Sequence, residues 1–559
     1  MAPKNKRSTA SKSSPTSNKE ATQTDDEYLN QVLASKNTEI PWFLSKHAMS
    51  VVVVLGIALL YLKDNGVVAL YFKDNDPLSS LLSTPKDPMS QCGLVMTNSS
   101  LPDSGWGMFP LTTIPAGQPV SYGDPILQVP DIGTGQAPHI TYLLHNYMWT
   151  GDVTGGMHEG RVVYSVLPGV GSLANGHPTQ WNMAPPASGA AHDEAGELRS
   201  ESPGAGAFTH YHNLSFRAFS NIAEGQELMV NYGQGWSDKI PNEDLGDSTK
   251  RPVEWLRKNG ICLDHIQPAL SNIPHAGRGA VATRFLPINT IVAPVPLLPI
   301  KSREGLMRHN GSWQLLLNYC FGHVQSSLLL VPYAPVVNLV NHGSGKEANV
   351  KMQWSTSNLF SGKHLLEQSD IFAQNDPSGL LLEFVATRDI REGDEILLDY
   401  GDAWQAAWDN HVKGFEPDSS ADYEYARVWN EKVAVLRTPT ELTEQPYPTN
   451  LRTTCFYKFD PTNQSPSQWI SPSFEYQNLY PCRVLERNQD ESYTVVIGSQ
   501  ESLLVDVKVP PNHIITKVPR HAIRLDDKLQ SSDQHLVNAF RHEIHIPDDI
   551  FPQAWRDLV

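Results

Sequence analysis

Apolar residues along this chain fall mostly in short runs of four to eight, bounded by Pro, Gly and Asn, which predicts strands and tight turns over most of residues 91–400. Helical spacing is rarer. Residues 251–261 (RPVEWLRKNGI) read as a short helix ended by Gly260, and Trp404, Trp408 and Val412 share one helix face with Asp402 as a capping residue. Residues 421–436 form a second amphipathic segment, carrying Tyr425, Val428, Trp429 and Val433. The aromatic faces of both helices are expected to be core against the preceding sheets. From 445 to 530 several short strands follow at regular spacing, the pattern of a small barrel. The tail that follows holds His535, His542 and His545, without the further ligands a metal site needs.

One run differs from all of these. Ala48–Leu62 carries fifteen residues without a charge. As a helix it spans roughly 22 Å, which Trp42–Leu44 extend toward the ~30 Å hydrocarbon core while Lys46 and Lys63 snorkel. The residues before it are polar and rich in Ser, Thr and Lys, so 1–40 reads as a disordered basic tail and 41–75 as a membrane helix with its flank. Basic residues precede the run more densely than they follow it, which places the N-terminus in the cytosol and the bulk of the chain across the membrane, in an organelle the sequence does not name. The short echo of ALLYLKDN in VALYFKDN beside it reads as a local duplication.

A longer repeat organises the middle of the chain. Gly105-Trp106-Gly107, Asn175, Tyr232-Gly233 and Trp236 return as Gly277-Arg278-Gly279, Asn341, Tyr400-Gly401 and Trp404, at offsets of 172, 166, 168 and 168 residues. Four landmarks in one order at near-constant offset mark two copies of one supersecondary unit. Each copy opens on Gly-x-Gly with a strand-turn-strand pattern and closes on a hairpin ending in EGQELMVNYG or EGDEILLDYG. Residues 183–207 read as a surface loop of the first copy.

Composition narrows the function. The chain has 559 residues, 43 Lys and Arg against 60 Asp and Glu, and a net charge of −17. That excludes a nucleic-acid binder working by bulk electrostatics and suits a basic protein partner. Five cysteines, Cys92, Cys262, Cys320, Cys455 and Cys482, lie far apart without a CxxC pair, arguing against a zinc cluster or a dense disulfide scaffold. Walker, nucleophile-elbow and Rossmann fingerprints are absent from the sequence.

At HAGRGAVATRF, VVNLVNHGSGKEAN and IREGDEILLDYG the second copy resembles the SET-domain family of protein lysine methyltransferases, and the first copy resembles it less well. The resemblance implies S-adenosylmethionine as cofactor, with Gly277 and Gly279 lining it, Asn341 and His342 completing its pocket, and Tyr400 as the catalytic tyrosine. Gly105, Gly107, Asn175 and Tyr232 are the matching positions of the first copy. Both copies depart from the family pattern. Gly343-Ser344 replaces Ser-Cys and Ala348 replaces Pro in the second, while Asn175 is followed by Gly176 in the first. A degenerate, structural first copy is expected. The strands of 445–530 resemble a Tudor- or chromo-type barrel, with Trp469, Phe474, Tyr480 and Tyr493 as cage candidates and barrel core as the favoured role.

The expected fold class is therefore mainly β with α: two tandem SET-like β-folds, a helical connection and a small C-terminal β-barrel-like domain, preceded by a transmembrane helix. The boundaries are 91–240 and 251–412 for the two copies, 413–444 for the helical connector, and 445–559 for the barrel with its helical tail. Two functions follow. One is a membrane-anchored protein-lysine methyltransferase acting through the second copy on a protein with an accessible lysine. The other is an inactive SET-fold scaffold that binds protein partners. S-adenosylmethionine is chiefly cytosolic, so an active site beyond the membrane would need a supply of it.

Overall fold

The computed structural model describes residues 87–129, 146–150, 164–185, 197–209, 211–233, 246–308, 311–373, 378–417, 424, 426–457, 479–497, 513–527, 538–556 and 558. All of them belong to the single unit Pro85–Val559. The apolar run at 48–62, the echo beside it, Trp236, Trp469, Phe474 and His535 lie outside the described residues. Among the described residues no helix is long and apolar enough to cross a membrane.

The largest sheet has eight strands. Its order is Asn341–His342, Leu397–Leu398, Val350–Trp354, Leu380–Ala386, Ile291–Ile300, Leu329–Pro332, Phe321–Gly322 and Ile544–His545. Ile291–Ile300 and Leu380–Ala386 are its middle, paired antiparallel with Leu297 opposite Leu380. Both are nearly continuous apolar runs, buried along almost their whole length, as strands covered on both faces must be. The three prolines of IVAPVPLLPI are tolerated although Pro lacks a donor; the strand register shifts between Ile291 and Ala293.

The two Gly-x-Gly segments each lie in an antiparallel hairpin. Leu94–Asn98 pairs antiparallel with Trp106–Pro110, and Ile266–Leu270 pairs antiparallel with Arg278–Ala282. Each hairpin turns through two left-handed residues two apart, Asp103 and Gly105 in one, His275 and Gly277 in the other. Each closing segment returns parallel to a short strand: Asn175 opposite Met229, and Asn341 opposite Leu397. A carboxylate locks each copy. Glu227 accepts from Ser99 Oγ at 2.7 Å, the Ser100 backbone N–H at 2.6 Å and Asn175 Nδ2 at 3.0 Å. Glu395 accepts from Ser271 Oγ at 2.7 Å, the Asn272 N–H at 3.0 Å and Asn341 Nδ2 at 3.1 Å. Glu227 is fully buried, and a buried carboxylate needs such a full donor set. The lock also explains one glycine of each pair: a Cβ on Gly107 or Gly279 would fall within 2.3 Å of the carboxylate.

The C-terminal region contains five antiparallel strands in the order His513–Val518, Tyr493–Ile497, Leu479–Arg487, Leu451–Phe456 and Ile523–Asp527. A 3-10 turn, Arg520–Ala522, joins the two outer strands. The order is that of an open sheet; pairing between the outer strands, which a closed barrel requires, is not seen among the described residues. Tyr480 and Tyr493 are buried in its core, and Tyr493 Oη accepts from the Leu436 N–H. Neither stands ready as a cage wall.

Two sequence expectations are corrected. The tail does not complete the 445–559 domain. Ile544–His545 pairs parallel with Phe321–Gly322, and Trp555 is fully buried beside Trp354 with its indole N–H on the Leu365 carbonyl. Its apolar residues find their missing partners on the eight-stranded sheet. The helix Ala426–Lys432 packs on Ile523–Asp527, not on the preceding sheets, with Asn430 Nδ2 on the Leu525 carbonyl. Four of the five cysteines pair, Cys92 with Cys262 and Cys455 with Cys482, leaving Cys320 free and buried. Sequence distance had hidden contacts that sheet pairing creates: Val95 sits opposite Cys262, and Cys455 opposite Tyr480.

Candidate functional site

A cavity of about 730 Å³ opens between the second hairpin, the parallel strand pair Asn341–His342/Leu397–Leu398, the helix Asp402–Lys413 and the returning tail. Of the residues expected from sequence, Asn341, His342 and Tyr400 line it. Gly277 and Gly279 do not. Arg278 between them does, because the strand pleat turns alternate residues to opposite faces. The space a Cβ on Gly277 would need holds the ring of Phe208, 2.5 Å away. At Gly277 φ is +65°, so glycine is favoured there on backbone grounds as well.

Tyr400 is held by three contacts. Its hydroxyl donates to the Val340 carbonyl at 2.5 Å. Its N–H donates to His342 Nδ1 at 2.9 Å, and its carbonyl accepts from the His545 N–H at 3.1 Å. Burial pushes the phenol well above the ordinary tyrosine range, with neighbouring Tyr319 adding to the rise. The phenol is therefore neutral, its hydrogen is committed to Val340, and its oxygen lone pairs remain as acceptors. Tyr319, itself pushed up to about 12 by burial, accepts from the Thr209 N–H at 3.1 Å.

His342 is fixed in one tautomer. Nδ1 accepts from Tyr400, so Nε2 carries the hydrogen and donates to Gln405 Oε1 at 2.8 Å. Both nitrogens are used within the protein, and the imidazole offers the cavity only its ring. Asn341 donates from Nδ2 to the Arg278 carbonyl at 2.9 Å and to Glu395, which leaves Oδ1 as its remaining acceptor.

Sequence reasoning missed the aromatic wall. Trp404 and Trp408 were expected to pack as core, but no residue of the helix Asp402–Lys413 is buried. Their rings stack 5.9 Å apart, Phe540 from the tail meets both edge-on, and all three line the cavity. The i, i+4 spacing gave the shared face; that it faces a cavity depends on the tail. Gly401 precedes the helix where Asp402 was expected to cap it. The supposed surface loop 183–207 is also reassigned in part: Ser202–Gly206 is buried, and Ala207, Phe208 and His212 form cavity wall.

The first copy differs at the corresponding place. Tyr232 Oη donates to the Ala174 carbonyl at 2.6 Å, matching Tyr400 on Val340. Where the second copy has His342, the first has Gly176, and the Tyr232 ring lies 2.2 Å from where a Cβ there would sit. Any side chain at Gly176 would meet the Tyr232 ring. His177, one residue late, instead accepts from the Thr179 and Gln180 N–H groups.

Among the described residues, two clusters carry metal-ligand residue types. In the first, Cys92 and Cys262 are joined as a disulfide beside Asp264 and offer no thiolate. In the second, His323 Nδ1 accepts from the Gln325 N–H at 3.2 Å, so Nε2 is protonated and donates to Asp548 Oδ1 at 3.1 Å. Arg556 Nη1 donates to the same oxygen at 3.0 Å. A metal at His323 would need the Nε2 lone pair and would turn an Nδ1 hydrogen onto Gln325. His323 is thus joined to the tail by a hydrogen bond to Asp548, whose ion-pair partner is Arg556.

In comparison with known proteins, residues 277–401 match the SET domain. No curated protein matches the chain. Among solved structures it is similar to a Plasmodium falciparum protein described as a histone methyltransferase, at 20% identity over 25% of this chain and 97% of that one, with a TM-score of 0.18. It is also similar to a humanized mutant of the Chaetomium thermophilum polycomb repressive complex 2 bound to the inhibitor GSK126, at 18% identity over 24% of this chain and 15% of that one, TM-score 0.18. A third is a polycomb complex chain in an autoinhibited conformation bound to S-adenosylmethionine, at 18% identity over 28% and 17%, TM-score 0.20. The chain thus spans less than a fifth of the length of the two polycomb chains.

Proposed function

From a SET domain over residues 277–401, we propose that this protein is an S-adenosylmethionine-dependent protein-lysine methyltransferase acting through that domain. The observation that carries the reading is the placing of Tyr400, with its phenol hydrogen spent on Val340 and its oxygen beside a cavity of about 730 Å³. Small-molecule sites fall in the range of roughly 300–1,000 Å³. Residues on three sides suit the cofactor: Arg278 and Asn341 Oδ1 for its polar end, and Trp404, Trp408 and Phe540 for its flat base. When bound, the cofactor supplies an electrophilic methyl group on a sulfonium.

The chain's own residues supply position and polarity. Tyr400 Oη accepts weak C–H hydrogen bonds from a polarised methyl group and orients an incoming amine. His342, locked by Gln405, holds the Tyr400 backbone in register. Among the described residues, Glu347 is the only acidic one lining the cavity, and it is exposed at the surface. An ammonium entering this aromatic interior finds no carboxylate beside Tyr400, which favours the neutral amine that transfer requires. Holding amine and methyl aligned a few ångströms apart is the main source of rate.

Residues 91–240 read as a second, structural SET-like copy. The Tyr232 ring against Gly176 supports this, since it fills the place where a pocket would open. The run 48–62 reads as a single membrane anchor. The two disulfides favour an oxidising compartment for residues 85–559, across the membrane from the basic tail. A basic, lysine-bearing protein fits the net charge of −17.

Calorimetric titration of S-adenosylmethionine into the full chain tests the cofactor half, with Trp404→Ala as the wall variant. Binding that Trp404→Ala weakens at least tenfold, followed by transfer of labelled methyl to lysine in a mixture of basic proteins, is the expected result. Absence of binding at high micromolar cofactor would leave both copies as scaffolds.

A further inference from the structure

The tripeptide Asn-x-Ser starts at Asn98, Asn213, Asn310 and Asn463, and in none of them is the middle residue proline. Such tripeptides arise by chance, so the pattern alone assigns no modification. The fold discriminates among them. Asn310 and Asn463 lie outside the described residues. Asn98 is exposed at the end of the strand Leu94–Asn98, but the hydroxyl of Ser100 donates to Glu227 inside the carboxylate lock. An oligosaccharide transferase reads the hydroxyl two residues after the asparagine, and folding takes that group away from Asn98.

Asn213 differs. It is exposed between buried His212 and Leu214. Leu214 and Asp124 exchange backbone N–H to carbonyl bonds, each 3.1 Å long, which pin the turn to the neighbouring segment. Asn213 has φ +63°, a left-handed conformation that asparagine adopts more readily than most residues. Gly123 lets the turn close, since a Cβ there would fall 2.3 Å from the Asn213 Cα. The fixed backbone thus presents the amide at one place on the surface. Among the described residues, neither the Asn213 amide nor the Ser215 hydroxyl has a hydrogen-bond partner. The amides of Asn175, Asn182, Asn341 and Asn349, by contrast, are all bonded within the fold.

The disulfides Cys92–Cys262 and Cys455–Cys482 add the compartment. Thiols are oxidised along the secretory route, where exposed asparagines of this pattern also meet the transferase. We propose that Asn213 is a glycosylation site and carries an N-linked oligosaccharide. The donor is a lipid-pyrophosphate-linked oligosaccharide. Asn213 Nδ2 attacks the anomeric carbon of its first sugar, and the N–C bond forms as the C–O bond to pyrophosphate breaks. The lipid pyrophosphate leaves with the electron pair, and Nδ2 gives up one hydrogen as a proton through a base of the transferase. The proposal rests on the oxidising compartment read for residues 85–559 and not on methyl transfer. A bulky, hydrated oligosaccharide at Asn213 keeps that face of the first copy in solvent and bars a protein interface there.

The test uses the full chain expressed in cultured eukaryotic cells. Peptide N-glycosidase in heavy-oxygen water converts each glycosylated asparagine to labelled aspartate, which peptide mass spectrometry reads at Asn213. Disulfides are mapped and S-adenosylmethionine binding is titrated on the same preparation. Two variants accompany wild type. Asn213→Gly suits the left-handed backbone, and Ser215→Ala leaves Asn213 itself in place. Wild type should show labelled aspartate at 213 and a downward mass shift on digestion, and both variants should lose one step of that shift. Unlabelled Asn213 with both disulfides formed would overturn the proposal and leave the compartment standing. Unlabelled Asn213 with free thiols would overturn both. Label confined to Asn98, Asn310 or Asn463 would also overturn the proposal. Label at 213 in a chain that binds no S-adenosylmethionine would sustain it while the methyltransferase reading fails.

Discussion

Tyr400→Phe and Tyr232→Phe each remove a phenol hydroxyl that makes the same kind of contact. Each hydroxyl donates to a buried carbonyl, Val340 at 2.5 Å and Ala174 at 2.6 Å. Both carbonyls belong to residues at most 2% exposed, so each variant leaves a largely buried acceptor short of a partner. Leaving one such group unpaired costs about 1–3 kcal/mol. For a unit of roughly 150–250 residues that lowers the midpoint of thermal unfolding by about 2–4 °C per kcal/mol. The two variants should therefore lose stability about equally. Their activities should part. Tyr400 lines the cavity, and its loss misplaces amine and methyl, costing transfer on the order of 10²-fold. Tyr232 packs on Gly176, and its loss should leave transfer within about twofold. The assays are transfer of labelled methyl to lysine and differential scanning fluorimetry on the same preparations. Equal activity losses would refute the assignment of the two copies, as would a Tyr400→Phe variant that keeps full transfer.

Trp555→Ala should destabilise the eight-stranded sheet by about 3–5 kcal/mol, because the indole is fully buried and bonded to Leu365; urea unfolding followed by tryptophan fluorescence of the remaining indoles measures it. Gly176→Ala should cost about 1–3 kcal/mol, since a Cβ there meets the Tyr232 ring, whereas Gly345→Ala, with open space around it, meets only its left-handed backbone. Mass spectrometry without reductant should find four cysteines linked as Cys92–Cys262 and Cys455–Cys482, with Cys320 alkylated only after unfolding. By loop entropy the first link, closing 170 residues, contributes about 5 kcal/mol, and reductant should lower the unfolding midpoint accordingly. Stability should also fall with acid. His212 and His265 are pushed by burial to about 4 and about 3 from 6.5, so the unfolded chain takes up protons first as pH falls below 6.5. Their contribution is complete above 6.5 and lost progressively down to about 3, while buried Asp124, whose carboxyl burial raises, works the other way. His265→Gln should flatten the acid limb of a pH series of unfolding midpoints. Finally, the full chain should sediment with membranes through residues 48–62, and a fully soluble full-length chain would remove the anchor.

What the sequence determined was what repeats locally or alternates locally. The strand-rich character, the offset near 168 residues, the Gly-x-Gly turns and the Asn-His and Tyr-Gly segments are set by period-2 burial, by left-handed turn residues and by short hydrogen-bonded motifs. Those constraints act over a few residues, so they are written in the order of residues. Asn341, His342 and Tyr400 were legible for that reason, and the structure brings all three to one cavity. What only the tertiary structure decided was contact across long separations. Trp404 and Trp408 looked like core until Phe540, more than a hundred residues later, returned beside them. The tail looked like part of the C-terminal domain until Ile544–His545 found the free edge at Phe321–Gly322. Cysteines 170 residues apart became neighbours because the strand Leu94–Asn98 takes Ile261–Cys262 as its partner. Sheet edges, unlike turns, accept any strand of suitable pattern, and which one arrives is settled by the packing of the whole chain. His212 belongs to that second class: nothing around THYHN marks it locally, and only the folded chain brings it to the wall of a cavity built largely by residues 272–408.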